Sequence, residues 1–231
     1  MDLSRARWLA VLCLLGIILT ACGGSFSETI RYRLTFNVDV DGSLVSGSGV
    51  IQVKQSDMRA LFGSMGGTGS EVNGEAVIVN LGPRGTLFAL LRGQSVGFRT
   101  LGGPAWLLFH AFADVHKREA EPLPKVQLLK EQRPRRVLRV DEIPMLVHFR
   151  DLDDPKSVEQ VEPANLAAAF GPGVALREAV IEVTDDPVTV GIENKLPWLK
   201  KLNGQLDGDR LHHGATLSND LNRYDFYQRY N

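Results

Sequence analysis

The clearest pattern along the chain is an alternation of apolar and polar residues from position 30 to position 54. Between Ile30 and Asp41 every second residue is apolar, which is the repeat of a strand with one buried face. Asp41-Gly42 is a typical hairpin turn, and the alternation resumes over Val45–Lys54. These residues predict an antiparallel hairpin. Small residues at 46–49 suggest close packing over its second strand.

A glycine-rich stretch and a second hairpin are expected next. Phe62–Gly74 is rich in glycine and predicts a flexible loop. Glu75–Leu81 and Thr86–Arg92 are apolar segments joined by Gly82-Pro83-Arg84-Gly85, so they predict two strands around a tight turn.

Helical spacing is clearest over Pro104–Lys117, where apolar residues recur on one face and the proline suits the first turn. Asp154-Pro155 predicts a capped helical turn, and Ala164–Phe170 a second one that ends at Gly171. Residues 188–202 remain ambiguous, because Pro197 interrupts a helical spacing. Further strands are expected at Val126–Leu129, Val137–Val140, Met145–Arg150, Val174–Thr184 and within residues 204–231.

The order of these elements predicts the fold class. Hairpins come first, then a helix, then strands and short helices, and there is neither an internal repeat nor a break in composition. This order favours a single α+β domain over residues 30–231, with a mainly antiparallel sheet of hairpins, one amphipathic helix and several short helices.

The first 21 residues have a different character. Arg5 and Arg7 precede an apolar stretch, Trp8–Ala21, which is shorter than the roughly 20 residues that a membrane-spanning helix needs. A basic start, a short apolar core and small residues after it are typical of a secretion signal. We therefore expect residues 1–21 to be removed from the mature protein.

The end of this segment, Leu19-Thr20-Ala21-Cys22, resembles the lipobox of bacterial lipoproteins. In that family the cysteine thiol receives a diacylglyceryl group, the chain is cut before the cysteine, and the new amine is usually acylated. The resemblance implies that Cys22 is lipidated and that its acyl chains hold the protein on a membrane. Gly23 stands where an aspartate would favour the inner membrane, so the resemblance favours the outer membrane facing the periplasm. The alternative is an ordinary secreted protein with Cys22 at the cut.

Lipidation of Cys22 would also constrain the rest of the chain. Residues 22–29 would be a lipidated cysteine and a short tether, which predicts a folded domain close to the membrane. Cys13 would leave with the signal and Cys22 would become a thioether. The mature protein would then have neither a disulfide nor a cysteine nucleophile or metal ligand.

Composition narrows the classes of function. The chain has 231 residues, 44% hydrophobic and 23% charged, which are values of a globular protein. Its 26 basic and 27 acidic residues nearly cancel, so no basic field favours nucleic acid as a partner. The glycine-rich stretch fits neither phosphate-binding template. Ser46-Gly47-Ser48-Gly49 fails the G-x-S-x-G pattern. We expect no bound cofactor and find no catalytic motif.

Three groups of polar residues contain side chains of the kinds that bind metals. His110 and Asp114 share a helix face but supply only two ligands, so a solvated pair is favoured. The adjacent His212 and His213, with Asp207 and Asp209, are more typical of a polar loop. A third group, Asp151, Asp153 and Asp154, lacks the rest of a calcium loop, and turn and capping roles explain it. These patterns predict no metal site.

A basic run lies between positions 130 and 139, at Lys130, Arg133, Arg135, Arg136 and Arg139. Such runs are usually solvated faces, and contact with anionic lipid headgroups or a partner is the alternative.

Three further segments resemble an uncharacterised group of proteobacterial secreted proteins and lipoproteins. They are Phe149–Val158, Phe170–Val174 and Leu196–Leu199. The resemblance implies a bacterial envelope protein and does not imply any particular activity. The leading hypothesis is a non-enzymatic, membrane-anchored module that binds an unidentified envelope protein or polymer. An envelope hydrolase with dispersed catalytic residues and a carrier of a small apolar ligand are the alternatives.

Overall fold

A computed structural model describes residues 26–96, 99–100, 102–209 and 216–229. Cys22 and the expected secretion signal lie outside the described residues, as do His212 and His213. The strands in the described part are β1 (Ser27–Val40), β2 (Ser43–Asp57), β3 (Thr68–Glu75), β4 (Val77–Asn80), β5 (Thr86–Ala89), β6 (Ser95–Val96), β7 (Arg99–Thr100), β8 (Arg135–Val137), β9 (Leu146–Phe149), β10 (Val158–Val161), β11 (Val174–Val183) and β12 (Tyr227–Gln228).

Short helices connect these strands. The α-helices are α1 (Arg59–Phe62), α2 (Pro104–Ala111), α3 (Pro122–Gln132), α4 (Ala167–Phe170), α5 (Ile192–Lys195), α6 (Leu217–Asp220) and α7 (Arg223–Phe226). Single 3-10 turns occur at Gly63–Met65, Gly82–Arg84, Val140–Glu142, Pro155–Ser157 and Pro197–Lys200. No helix in the described part of the chain is long and apolar enough to cross a membrane.

The larger sheet is built around the predicted first hairpin. Its six strands have the order β12-β3-β2-β1-β11-β8, and each described pair is antiparallel. The apolar residues of β1 are buried on one face, as their alternation predicts. Asp41 and Gly42 both have positive φ, at 52° and 83°, which is the backbone that a tight hairpin turn requires.

The smaller sheet has four antiparallel strands in the order β10-β9-β5-β4. It contains the predicted second hairpin, formed by β4 and β5. All four residues of β5 are buried because this sheet is covered on both faces. One face packs on β1 and β2 of the larger sheet, and α2 and α3 cover other parts of that same sheet. The other face carries the C-terminal segments, through residues such as Leu196, Leu199 and Phe226.

The glycines of β2 allow the two sheets to pack closely. A Cβ at Gly47 would lie 2.2 Å from the backbone oxygen of Ile78, and one at Gly49 would lie 3.2 Å from the side chain of Val77. The prediction of close packing at residues 46–49 is therefore confirmed.

Several local predictions are corrected. The glycine-rich stretch is not a loop throughout, because residues 68–74 form most of β3 and hydrogen bond to the end of β2. Residues 126–129 lie in α3 rather than in a strand, since a proline at its first position starts a helix that buries Val126 and Leu129. The helix predicted to run to Lys117 ends at Ala111, and turns follow it.

Other predictions agree with the structure. Asp154 accepts a hydrogen bond from the backbone nitrogen of Lys156 and begins a 3-10 turn, as its capping pattern predicts. The second expected turn, however, is reduced to Ala167–Phe170, and strand β10 lies between the two. The strand expected near the C-terminus is short, because residues 223–226 form a helical turn before β12. The fold class is α+β with antiparallel sheets, although there are two main sheets rather than one.

Candidate functional site

An open, largely apolar groove lies at one edge of the larger sheet, with a cavity volume of about 330 Å³. It forms because the chain leaves the edge of β11 after Leu138. The nitrogen of Leu138 still donates to the oxygen of Ala179 at 2.8 Å, but the next residues turn into the 3-10 helix Val140–Glu142. The chain diverges from β11, and a wedge remains between them.

Apolar side chains line this wedge, which we call the edge groove. Val137 and Val140 stand at its rim with 49% and 59% of their surface exposed. The rest of the lining comes from β11 and the loop before α4, including Leu166, Val174 and Leu176. Exposed valines beside an apolar groove are a feature of interaction surfaces.

The edge of β11 is open along this groove. β8 pairs only with Val180–Glu182, so residues 174–178 have a strand partner only on the β1 side within the described chain. A strand edge with unpaired backbone groups can accept another extended chain.

Two charged residues, Arg177 and Glu178, lie in this part of β11. Arg177 lies at an irregularity in the pairing with β1 and forms an ion pair with Asp39 at 3.1 Å. Glu178 accepts a hydrogen bond from Asn37 at 2.8 Å. Bulges and charges of this kind restrain indiscriminate pairing between sheets. The open edge of β11 is therefore bulged and carries two charged residues.

A second concavity lies beneath Trp106, where a crevice with a cavity volume of about 20 Å³ opens between β1 and the start of α2. Its walls are mostly apolar, with Arg92 and Glu142 at its polar end. Ligand pockets usually have about 300–1,000 Å³, so this crevice has room for a water-sized molecule and is far below the size of a ligand pocket. The apolar face of the larger sheet, which a carrier would need for its ligand, is otherwise filled by side chains of the core.

The polar residues near the crevice are engaged with one another. Arg92 contacts Asp220 at 2.6 Å and Asp225 at 3.9 Å. Burial raises the pKa of the Asp225 carboxyl, against the opposing influence of a backbone hydrogen bond at Asn222 and of Arg92. Asp225 and Asn222 form a reciprocal capping box at the start of α7, which is a structural use of this carboxyl group.

The basic run at residues 130–139 is neutralised within the fold. Each of its members lies beside an acidic residue, and the pairs are Lys130–Glu28, Arg133–Asp185, Arg135–Glu182, Arg136–Glu142 and Arg139 with both Asp141 and Glu142. This arrangement favours the solvated-face interpretation over attraction to anionic lipid.

The three histidines in the described ranges have structural surroundings. His110 stacks on Trp106 at a centroid distance of 4.3 Å and lies 3.7 Å from Glu142, not beside Asp114, because α2 has ended before that residue. Buried His116 has its Nε2 2.9 Å from the carbonyl oxygen of Phe109. His148 contacts Glu159 at 3.1 Å. Within the described ranges, no three His, Cys, Asp or Glu residues gather as metal ligands would.

The remaining motifs also have local roles. Asp151 accepts from the backbone nitrogen of Asp153 at 2.9 Å, which is a turn interaction. Ser46 donates to the side-chain oxygen of Asn37 at 2.6 Å in the middle of the β1–β2 ladder, not at the strand-to-helix turn that a nucleophile elbow requires.

The sequence does not predict the edge groove. Its pattern predicts one short strand that includes both rim residues, Val137 and Val140, and no local pattern reveals that the chain departs from β11 after Leu138. No known protein family matches this chain, and no characterised protein or solved structure matches it either.

Proposed function

We propose that this protein is a non-enzymatic, lipid-anchored module of the bacterial cell envelope, which binds an extended segment of a partner protein in the edge groove. The observation that carries the binding role is the open edge of β11 beside the exposed Val137 and Val140. An unpaired strand edge is satisfied by another polypeptide backbone, whereas a glycan or a lipid lacks the matching row of amides.

The proposed anchor and the groove lie toward opposite ends of β1. This strand begins at Ser27, five positions after Cys22. Ala179 and Val174, which line the groove, pair with Phe36 and Val40. At about 3.3 Å per residue, the groove is therefore roughly 30–45 Å along the strand from its start. A lipid on Cys22 would leave the groove accessible above the membrane.

The anchor is tested by measuring the intact mass of protein extracted from membranes, for the wild type and Cys22→Ser. We expect the wild-type chain to start at Cys22 with added acyl mass, and the variant to lack that mass. An unmodified chain cut elsewhere would overturn the lipid-anchored part of the proposal.

The groove is tested by a photo-crosslinking residue at position 140, with position 190 as the matched control. Val190 is also exposed, at 67%, and does not line the groove. We expect position 140 to crosslink an extended segment of an envelope protein and position 190 to give no such adduct. A synthetic peptide of that segment should then bind the purified wild-type protein.

Substitutions supply the decisive comparison for this peptide. Val140→Asp should weaken binding of the peptide by at least about tenfold, because the bound peptide would bury an unpaired carboxylate. Val190→Asp should leave binding of the peptide unchanged. Equal binding by both variants, or adducts formed only with glycan, would contradict the proposed site. Sustained turnover of an envelope substrate that a point variant abolishes would contradict the non-enzymatic role.

A further inference from the structure

The loop between β2 and β3 presents a compact group of exposed apolar side chains. Leu61, Phe62 and Met65 are 52%, 60% and 93% exposed, and all three lie within residues 58–67, which we call the apolar loop. Three large apolar side chains this close together in sequence and this exposed are costly in water.

The apolar loop has a defined shape. Its ends are joined by a hydrogen bond from the nitrogen of Met58 to the oxygen of Gly67, at 2.9 Å. A Cβ at Gly66 would lie 2.3 Å from the oxygen of Met58, so this close approach requires glycine. At the base, the Asp57 carboxylate accepts bonds from the backbone and the guanidinium of Arg59. The apolar side chains therefore project from a braced turn.

This loop lies at the end of the sheet where the chain enters the fold. The nitrogen of Asp57 donates to the oxygen of Phe26 at 2.9 Å, and Ser27 pairs with Ser56. Phe26 is four positions after Cys22. Four extended residues span at most about 14 Å, so acyl chains on Cys22 would be held close to the loop.

The charges at the base of the loop are internally balanced. Arg59 pairs with both Asp57 and Glu121, and Lys54 pairs with Glu71 at 3.2 Å. Attraction to anionic headgroups is therefore not the main force available at this surface, whereas removal of apolar side chains from water is.

We propose that the apolar loop is a second membrane contact, which inserts Leu61, Phe62 and Met65 into the bilayer that holds Cys22. This inference rests on the proposed lipid anchor. The acyl chains proposed on Cys22 are enough for stable attachment, so the apolar loop would orient the domain on the membrane rather than hold it there. Two adjacent contacts would also fix the tilt of the domain and direct the edge groove away from the membrane.

The experiment uses the full acylated chain on vesicles of phosphatidylethanolamine and phosphatidylglycerol. Met65→Cys is labelled with an environment-sensitive fluorophore, and Leu44→Cys is the matched control. Leu44 is also exposed, at 55%, but lies at the other end of β2, beside the hairpin turn. With Cys22 blocked by acylation and Cys13 removed with the signal, each variant has one reactive thiol. Unchanged thermal unfolding relative to the wild type verifies that both variants fold.

We expect the label at position 65 to shift to shorter wavelength, to be quenched by spin-labelled lipid and to be protected from aqueous iodide. The label at position 44 should behave as in water. Because insertion is apolar, raising the salt concentration from about 50 to 500 mM should leave the signal at position 65 unchanged. A second variant, Leu61→Ser and Phe62→Ser in the Met65→Cys chain, should reduce lipid quenching severalfold.

The outcomes separate the two proposals. Equal iodide quenching at positions 65 and 44, with the acyl mass intact, would overturn the second membrane contact alone. A label at position 65 that is protected from iodide but not quenched by spin-labelled lipid would also overturn it, and would indicate contact with protein, such as a second copy. Absence of acyl mass on Cys22 would overturn both the anchor and this contact.

Discussion

Gly47 lies so close beneath Ile78 that a Cβ on the glycine would be 2.2 Å from the carbonyl oxygen of Ile78. The contact is between backbones of the two sheets, so neither side can move without disturbing a strand ladder. The distance between β2 and β4 is therefore set by the absence of a side chain at one position.

Gly47→Ala should lower the free energy of unfolding by about 1–3 kcal/mol, the usual cost of overpacking a well-filled interior. Urea denaturation measures this change. Gly67→Ala is the control, because a Cβ there meets no atom within 4 Å, and it should leave the midpoint nearly unchanged. Equal midpoints for the two variants would show that the sheets are less tightly packed than described.

Glu142 should be important for stability because its side chain is fully buried beside Arg136 and Arg139 and accepts from the backbone nitrogen of Arg139 at 2.9 Å. Glu142→Ala should lower the free energy of unfolding by about 3 kcal/mol, since it leaves buried hydrogen-bond donors without their acceptor. Asp141→Ala, at the exposed neighbouring position, should cost less than about 1 kcal/mol. Thermal unfolding of the two variants side by side provides the test.

Glu75 is expected to hold the C-terminal segment in place. Its buried carboxylate accepts from the nitrogen of Ile192 at 2.7 Å and from Arg229 at 2.6 Å. Glu75→Gln should lower the free energy of unfolding by roughly 2 kcal/mol, because a neutral amide oxygen replaces a charged acceptor. It should also accelerate hydrogen exchange at the Ile192 amide, whose hydrogen bond to residue 75 is weakened. Glu71→Gln, which alters only an exposed pair with Lys54, should leave that amide as protected as in the wild type.

Asp225 should make the protein less stable as the pH rises, which is opposite to the usual effect of a paired carboxylate. Burial raises its pKa in the fold above the ordinary value of 3.8, so the folded state holds a proton that the unfolded state has already lost. Its contribution to stability is therefore fully present below the unfolded pKa and declines as the pH rises through the folded pKa. Asp225→Asn should remove this decline in urea titrations performed at successive pH values.

Asp57→Asn is the control for that measurement. The pKa of Asp57 is lowered to about 2 by its hydrogen bonds with Arg59, so its contribution is present above 3.8 and is lost as the pH falls toward 2. Above about pH 5, where Asp57 is ionised in both the folded and the unfolded state, the difference from the wild type should therefore be constant. A wild type and Asp225→Asn that follow parallel curves across the same range would contradict the assignment to Asp225.

Local patterns predicted the parts of the fold that short-range physics determines. The β1–β2 hairpin follows from alternation and from the Asp41-Gly42 turn, and the turn after Asp154 follows from its cap. Pairing between distant segments is different. β3 forms from a glycine-rich stretch because the end of β2 provides hydrogen-bond partners for its backbone. The strand propensities of its residues do not predict this pairing.

The edge groove could not be predicted from the sequence, because it too depends on pairing between distant segments. Val137 and Val140 look like the two ends of one strand, yet only Val137 pairs with β11. Between them the chain leaves β11 and enters a 3-10 turn, in which the buried Glu142 caps the backbone of Arg139 and pairs with Arg136. The apolar loop is likewise not predicted by the sequence. The exposure of its three side chains, and their position beside the start of β1, depend on the tertiary structure.

The pairing of β1 with two neighbouring strands also determines how the domain would resist a pulling force. It is flanked by β2 along its whole length and by β11 from Tyr32 onward. If the anchor holds its first residue and a partner pulls on the far end of β11, the load runs parallel to the strands. Many hydrogen bonds must then break together rather than one after another. The domain would transmit tension between the membrane and its partner through its best-bonded strand.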